Sequence, residues 1–322
     1  MQRFFSNKRL ALFAPFIGLV FLTLVAFGLW VGASGRIADE LTARGLSWEG
    51  LARAGFPARI TLEIDKPRWR DTTPGSSLVW QNQGLTLTVM PFDGGHAIID
   101  FKGDHHLGFD GGDLRMAHQG NLMSAIVDFD GLNRASFEAH QPSVNGTWLD
   151  LDLSARAAEL GLHARRAPTA NEARYDVALL AKNLTLKQDN GTLALTRLDA
   201  AGTVPAAAFE RPLGAGDVIV LDRVTLERQQ LTLIGKGRVK LRANGYMDGM
   251  LDLDIVGLEP FIDALIEFDL IKRRDRRKLL LLGGLGAAFG GDTPDRLSLP
   301  LRFQNKRLYL GDLELGAAPR WK

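Results

Sequence analysis

The sequence predicts a mainly β protein, in which an N-terminal transmembrane helix precedes an antiparallel curved sheet or sandwich with a few short helices near the C-terminus. Three observations indicate this class. An uncharged apolar run fills residues 10–35, apolar and polar residues then alternate with a period of two, and Asn-Gly or Asp-Gly pairs separate the alternating runs. With 46% hydrophobic residues and a net charge of +2, the composition excludes a disordered chain and a multispan transporter.

The apolar run is long enough to cross a bilayer. Leu10 to Ala33 exceeds the roughly 20 helical residues that span a hydrocarbon core of about 30 Å, and Trp30 suits an interfacial position. The basic residues of the tail 1–9 favour a cytoplasmic N-terminus, which leaves residues 34–322 outside the inner membrane, in a periplasm. A signal peptide cleaved after Val31-Gly32-Ala33 is the alternative, although the apolar region of such peptides is usually about 7–15 residues long.

The remainder is expected to form one β-rich domain. Alternating runs occupy residues 59–65, 84–89, 149–153, 231–241, 250–255, 297–303 and 307–310. Each run would bury one face and expose the other, and pairs such as Asn145-Gly146 favour the tight hairpins of an antiparallel sheet. The polar, alanine-rich segment 164–172 is the best candidate for an internal boundary. The absence of cysteine is compatible with an oxidising compartment.

A helix is predicted over residues 259–271, and a basic run follows it. That run contains Lys272, Arg273, Arg274, Arg276, Arg277 and Lys278. It lies beside the apolar residues 279–282, and each basic residue near an anionic leaflet contributes about 1 kcal/mol of binding. We therefore expect a membrane-surface site here, with a solvated helix face as the alternative.

Only one cluster has the composition of a metal site. Asp104-His105-His106 has Asp100, Asp110 and Asp113 nearby, but consecutive residues of a strand point to opposite faces. A polar hairpin loop is therefore the preferred interpretation. The other histidines (96, 118, 140 and 163) lack ligand spacing, and Gly284 to Gly290 does not follow a strand as a dinucleotide turn would. We expect no enzymatic activity, no cofactor and no metal.

Two segments carry a resemblance to a known family. Trp48 to Ile60, which includes Gly55-Phe56-Pro57, resembles the opening of a family of alphaproteobacterial membrane-anchored proteins catalogued as a domain of unknown function. The closing residues 297–303 and 310–319 resemble that family's C-terminal hairpin. The layout resembles, more distantly, AsmA-type envelope proteins. That second resemblance implies one membrane anchor, a long curved β-sheet and a part in lipid handling.

These observations favour a non-enzymatic, single-pass protein of the cell envelope. Many amphipathic strands with little helix to cover them indicate a curved sheet that binds lipid or lipid-like cargo. The alternative is a structural or protein-interaction module of the envelope. The expected partners are inner-membrane lipid and either such cargo or an envelope protein. Nucleic acid is excluded, because the charge is nearly balanced and the domain would lie outside the cytoplasm.

Overall fold

A computed structural model describes most of the chain. The described residues are 8–71, 77–93, 95–128, 131–148, 151–168, 174–188, 191–209, 213–267, 271–277, 280, 296–318 and 320. The first element is a single helix, α1, from Lys8 to Ala43. Within the described residues it is the one helix long and apolar enough to cross a membrane, a test that a signal sequence would also pass.

The rest of the described chain is a strand meander with one further α-helix. The strands are β1 (Leu46–Ser47), β2 (Gly50–Ala54), β3 (Ile60–Asp65), β4 (Arg68–Arg70), β5 (Val79–Met90), β6 (His96–Phe109), β7 (Gly112–Ala117), β8 (Gly120–Asp128), β9 (Gly131–His140), β10 (Ser143–Trp148), β11 (Leu151–Arg156), β12 (Glu159–Arg166), β13 (Arg174–Gln188), β14 (Gly191–Pro205), β15 (Val218–Arg228), β16 (Leu231–Leu241), β17 (Met247–Val256), β18 (Arg296–Gln304), β19 (Arg307–Leu310) and β20 (Leu313–Ala317). Helix α2 (Leu258–Glu267) follows β17, and short 3-10 helices occupy Ala206–Phe209 and Arg273–Asp275.

All strands form one antiparallel sheet. From β13 onward each strand pairs with the next one in the chain, up to β20. In the N-terminal half, β3 with β4, β7 with β8, and β11 with β12 act as interrupted long strands, because both members pair with β5, β6 and β13, respectively. The pair β9 and β10 acts in the same way, because β9 pairs with β8 and β12 while β10 pairs with β7 and β11. The prediction of a mainly β, antiparallel fold is confirmed, in the form of one continuous sheet.

The interruptions fall in register and form a line across the sheet, which we call the crease. It runs through Lys66-Pro67, Gln83, Gly103, His118-Gln119, Gln141-Pro142, Ala157-Ala158 and Asn183. Lys66, Gln141 and Asn183 have positive φ angles of 45°, 47° and 50°. Breaks and bulges of this kind bend strands locally. Aligned over successive strands, they bend the whole N-terminal half along one line.

One face of the sheet is apolar across its full width. On this apolar face the following residues lie opposite one another on successive strands: Leu62, Leu87, Ile99, Met123, Phe137, Leu162, Leu179, Ala200, Val224, Gly235, Leu253 and Leu299. The row lies on one side of a bulge in β15, where the register shifts at Ala201/Gly202 and between Leu221 and Val224. Alternation with polar residues on the opposite face is the pattern predicted for these strands.

Two helices cover the two ends of the apolar face. The last turns of α1, from Trp30 to Leu41, pack on Ile60, Leu62 and Ile64 of β3 and on the neighbouring strands. At the other end, Phe261, Ile262 and Leu265 of α2 pack on Leu231, Ile255 and Leu297. The bidentate contact of Arg228 with Glu267, at 2.8 and 3.1 Å, fixes the end of α2. No described helix lies over the strands between these two clusters.

Several local predictions can be compared with the observed elements. The predicted helix over residues 259–271 is observed at Leu258–Glu267. The predicted last hairpin is observed as β18 and β19. Residues 164–166 belong to β12, whereas 169–173 lie outside the described residues, so a boundary at 164–172 stays a prediction. The segment 281–295, including Gly284 to Gly290, also lies outside the described residues.

Candidate functional site

An open groove lies on the apolar face between the two helix-covered ends. It has a volume of about 360 Å³ and crosses β8, β9, β12, β13, β14 and β15. Its apolar lining side chains are Met123, Phe137, Leu162, Leu179, Val177 and Leu221, together with the small residues Ala135, Ala164, Ala200 and Gly202. This volume lies at the lower end of the range of about 300–1,000 Å³ found for small-molecule sites.

Small side chains open the groove. Ala135, Ala164, Val177, Gly202 and Leu221 lie directly opposite one another on five adjacent strands. Three of these five residues are alanine or glycine, so we call this the low row, beside the row that contains Phe137 and Leu162. Ala201 and Gly202 also adjoin a bulge, which adds local twist. The groove is therefore a consequence of the small residues that β9, β12 and β14 place in this row.

The groove wall presents apolar surface to solvent. Leu162 is 44% exposed although it lies at the centre of the apolar row. Ser136 and His163, both of whose neighbours on the strand are apolar, are the polar residues of the lining. Exposed apolar surface of this kind is typical of sites that bind an apolar ligand or partner. The geometry suits a flexible hydrocarbon better than a polar substrate.

A buried polar cluster lies at the crease, beside the groove. Asn121 is on the same strand as Met123, two residues away and therefore on the same face. The Trp80 indole N–H donates to Nδ1 of His105 at 3.1 Å, and the Asn121 amide contacts Nε2 of His105 at 2.7 Å. Asn82 donates to the carbonyl of Asp104 at 3.0 Å and accepts from the backbone N–H of Gly84 at 3.0 Å. The cluster satisfies backbone groups where the strands are interrupted.

The hydrogen bonds of this cluster define the protonation state of His105. An indole N–H can only donate, so Nδ1 of His105 accepts and its proton resides on Nε2. That N–H requires an acceptor, which we assign to the amide oxygen of Asn121. Burial, and to a lesser extent the neighbouring His118, lower the pKa of His105 to about 4, while Asp104 opposes the shift. His105 is therefore a neutral structural residue at neutral pH.

The predicted metal candidates do not converge. His105 is buried on one side of the strand, whereas His106 is partly exposed and contacts Asp113 at 2.5 Å. Within the described residues, no group of three or more His, Asp or Glu side chains lies close enough together to hold a metal ion. The separation of the two histidines follows from the alternation of a strand. The interpretation of Asp104-His105-His106 as a polar hairpin loop is wrong, because the segment lies within strand β6, where His105 joins the crease cluster.

The basic run follows α2 and lies on the surface. Lys272, Arg273, Arg274 and Arg277 are exposed, Arg276 is half-buried with a contact to Asp263 at 3.4 Å, and Lys278 lies outside the described residues. Ile271 and Leu280, which flank the run, pack against the α2 cluster. The run is thus held against the domain with most of its described charges in solvent. Its role as a membrane-surface site stays a prediction.

Sequence reasoning did not identify the groove. The alternating pattern predicts an apolar face, but it does not say which part of that face a helix covers. One signal was available: alanine or glycine occupies inward positions of β9, β12 and β14, at Ala135, Ala164, Ala200 and Gly202. Small residues at core-facing positions of several strands in a row indicate either close packing or an open site.

Comparison with known protein families gives a match over most of the chain. A family model described as "Uncharacterized protein conserved in bacteria (DUF2125)" matches residues 35–319. The match includes the distal part of α1, the Gly55-Phe56-Pro57 segment, the groove and the C-terminal hairpin. No curated protein and no solved structure matches the chain. The resemblance to a domain of unknown function is confirmed, whereas the alphaproteobacterial restriction and the likeness to AsmA-type proteins stay predictions.

Proposed function

We propose that this chain, which belongs to the DUF2125 family of bacterial proteins, is a single-pass membrane-anchored envelope protein that holds a phospholipid acyl chain in its open groove. The main support for this proposal is the uncovered, almost entirely apolar groove between α1 and α2. The proposed action is binding, without catalysis. A structural or protein-interaction module is the alternative that the experiment below can favour.

The position of the groove supports a membrane lipid as the occupant. The groove lies in the half of the sheet between the crease and the strand ends at Met90, His96, Asp128 and Gly131. Those strand ends are on the same side of the sheet as Ile60, the start of β3, beside the contact of Trp30 in α1 with the Arg59 carbonyl. A lipid leaving the bilayer beside α1 would therefore meet this half of the apolar face first. An acyl chain matches a groove lined by Leu, Val, Met, Phe and Ala.

The packing of α1 supports an anchor that stays attached. Leu19 to Leu29 present an exposed apolar surface, whereas Ser34 and Ala38 are buried against the domain. The Trp30 indole N–H donates to the carbonyl of Arg59 at 2.8 Å. Cleavage after Ala33 would remove Trp30 from this contact and expose the apolar residues beneath it. A continuous helix that both spans the membrane and packs on the sheet avoids that exposure.

Lipid occupancy is the direct test. The full chain is purified in detergent after exposure to a phospholipid with a pyrene-labelled acyl chain, and bound pyrene is measured per protein. Ala164→Phe should fill the groove and abolish the signal, because Ala164 lies in its low row. Ala194→Phe is the matched control, since Ala194 is exposed on β14 and outside the lining. Wild-type protein without bound lipid, or equal occupancy in both variants, would overturn the proposal and favour the interaction module.

Topology is tested with introduced cysteines, because the chain has none. Ser143→Cys lies in β10, whereas Ser6→Cys lies in the N-terminal tail. An impermeant maleimide applied from the periplasmic side should label position 143 and leave position 6 unlabelled. Labelling of position 6 alone would reverse the proposed orientation.

A further inference from the structure

We infer that a rim of the β domain, formed by Arg53–Arg59 and Pro91–Asp93, is a second membrane contact that lies in the lipid headgroup layer. This inference rests on the proposed anchoring by α1, and it is independent of whether the groove holds a lipid. The rim brings two aromatic residues to the place where α1 leaves the membrane, together with two cations that have no ion-pair partner among the described residues.

The end of the span determines the depth of the rim. The exposed apolar surface of α1 continues to Leu29, and Trp30 follows it. Phe56 lies edge-on to Phe27 and Trp30, with ring centroids 5.4 and 6.1 Å apart. Tryptophan at the end of a span lies at the membrane–water interface. Phe56 touches the ring of Trp30 and therefore lies at the same depth.

The turn after β5 extends the rim sideways. Ile60 lies opposite Val89, so the end of β5 adjoins the start of β3. Phe92 lies two residues after the end of β5. It is 87% exposed, more than any other large hydrophobic residue among those described. In water, the apolar surface of such a phenylalanine ring is exposed to solvent, which is unfavourable. Insertion between headgroups would remove it from water at a site next to the span.

The charges of the rim suit an anionic bilayer surface. Arg53 and Arg59 are exposed and have no ion-pair partner among the described residues. Asp93 is the acidic residue of the turn, and its carboxylate lies 3.6 Å from Nδ1 of His96. Two guanidinium groups beside two inserted aromatic rings form the combination that peripheral membrane sites use. The bilayer is therefore the partner that fits.

A fluorescence experiment tests the contact. The full-length Phe92→Cys variant carries a single cysteine, which is labelled with the environment-sensitive dye NBD and reconstituted in vesicles of equal parts phosphatidylcholine and phosphatidylglycerol. Leu151→Cys is the matched control: Leu151 is 44% exposed but begins β11, at the strand ends on the other side of the crease. We expect a blue-shifted emission at position 92 that doxyl-labelled lipids quench, and neither effect at position 151.

The outcomes separate this contact from the anchor and from the groove. If position 92 is no more blue-shifted or quenched than position 151, while alkaline extraction leaves the protein in the vesicles, the rim contact is wrong and the anchor stands. Extraction of the protein by alkali would overturn both the anchor and the rim. The pyrene-lipid measurement on Ala164→Phe reports the groove alone, so its failure would leave the rim contact intact.

Discussion

Replacement of His105 by glutamine should remove a specific part of the pH dependence of stability. His105 is buried and neutral, with Nδ1 accepting from Trp80, and its pKa is lowered to about 4 from the ordinary histidine value of 6.5. The unfolded chain therefore binds the proton first as the pH falls. Stability from this group is fully present above pH 6.5 and is lost progressively as the pH falls from 6.5 to 4.

The size of the effect follows from the two pKa values. Each pH unit between them changes the free energy of unfolding by up to about 1.4 kcal/mol. Between pH 7.5 and pH 5, the His105 contribution amounts to a loss of about 2 kcal/mol. Protonation also puts a donor on Nδ1 that faces the Trp80 indole N–H, so this hydrogen bond would be lost.

Chemical denaturation of the full chain in detergent at pH 7.5 and pH 5 measures this quantity. His105→Gln should be less stable at pH 7.5, because it disturbs the Trp80 and Asn121 contacts, but its loss on acidification should be smaller than that of the wild type by about 2 kcal/mol. Asn82→Ala, which disturbs the same cluster without removing a titratable group, should keep the wild-type difference. A His105→Gln protein with the same acid loss as the wild type would refute the reasoning.

Three further substitutions test the covered ends of the sheet by thermal unfolding of the full chain in detergent. Trp30→Ala should lower the free energy of unfolding by about 2 kcal/mol, because it removes the aromatic packing and the hydrogen bond to the Arg59 carbonyl. The control Leu29→Ala should leave it almost unchanged, because Leu29 is 70% exposed. Ile262→Ala should cost about 3 kcal/mol, because Ile262 is fully buried under α2, and equal stability to wild type would contradict that packing. Gly55→Ala should cost about 1–3 kcal/mol, because Gly55 has a φ of 97° and an added Cβ would lie 2.8 Å from the Arg59 carbonyl oxygen.

Much of the fold could be predicted from the sequence, because its signals are local. Period-two alternation identifies strands such as residues 60–65, and an uncharged run identifies the helix that begins the chain. The crease could not be predicted in the same way. It depends on seven interruptions that lie in register across neighbouring strands. Register is set when strands pair, and the paired strands can be distant in sequence. The structural role of His105 could not be predicted either, because its partners Trp80 and Asn121 are distant in sequence.

The groove exists because the two helices are too narrow to cover the whole apolar face of the sheet. A helix with its side chains is about 10 Å wide and strands are about 4.8 Å apart, so one helix covers about two strands. Between the strands under α1 and those under α2 lie β8, β9, β12, β13, β14 and β15, about 29 Å of sheet with an apolar row across it. The described chain has no third helix for this interval, and the low row of Ala135, Ala164 and Gly202 deepens it. An apolar interval of this width can accept an apolar occupant, and under the proposed function that occupant is an acyl chain of a membrane lipid.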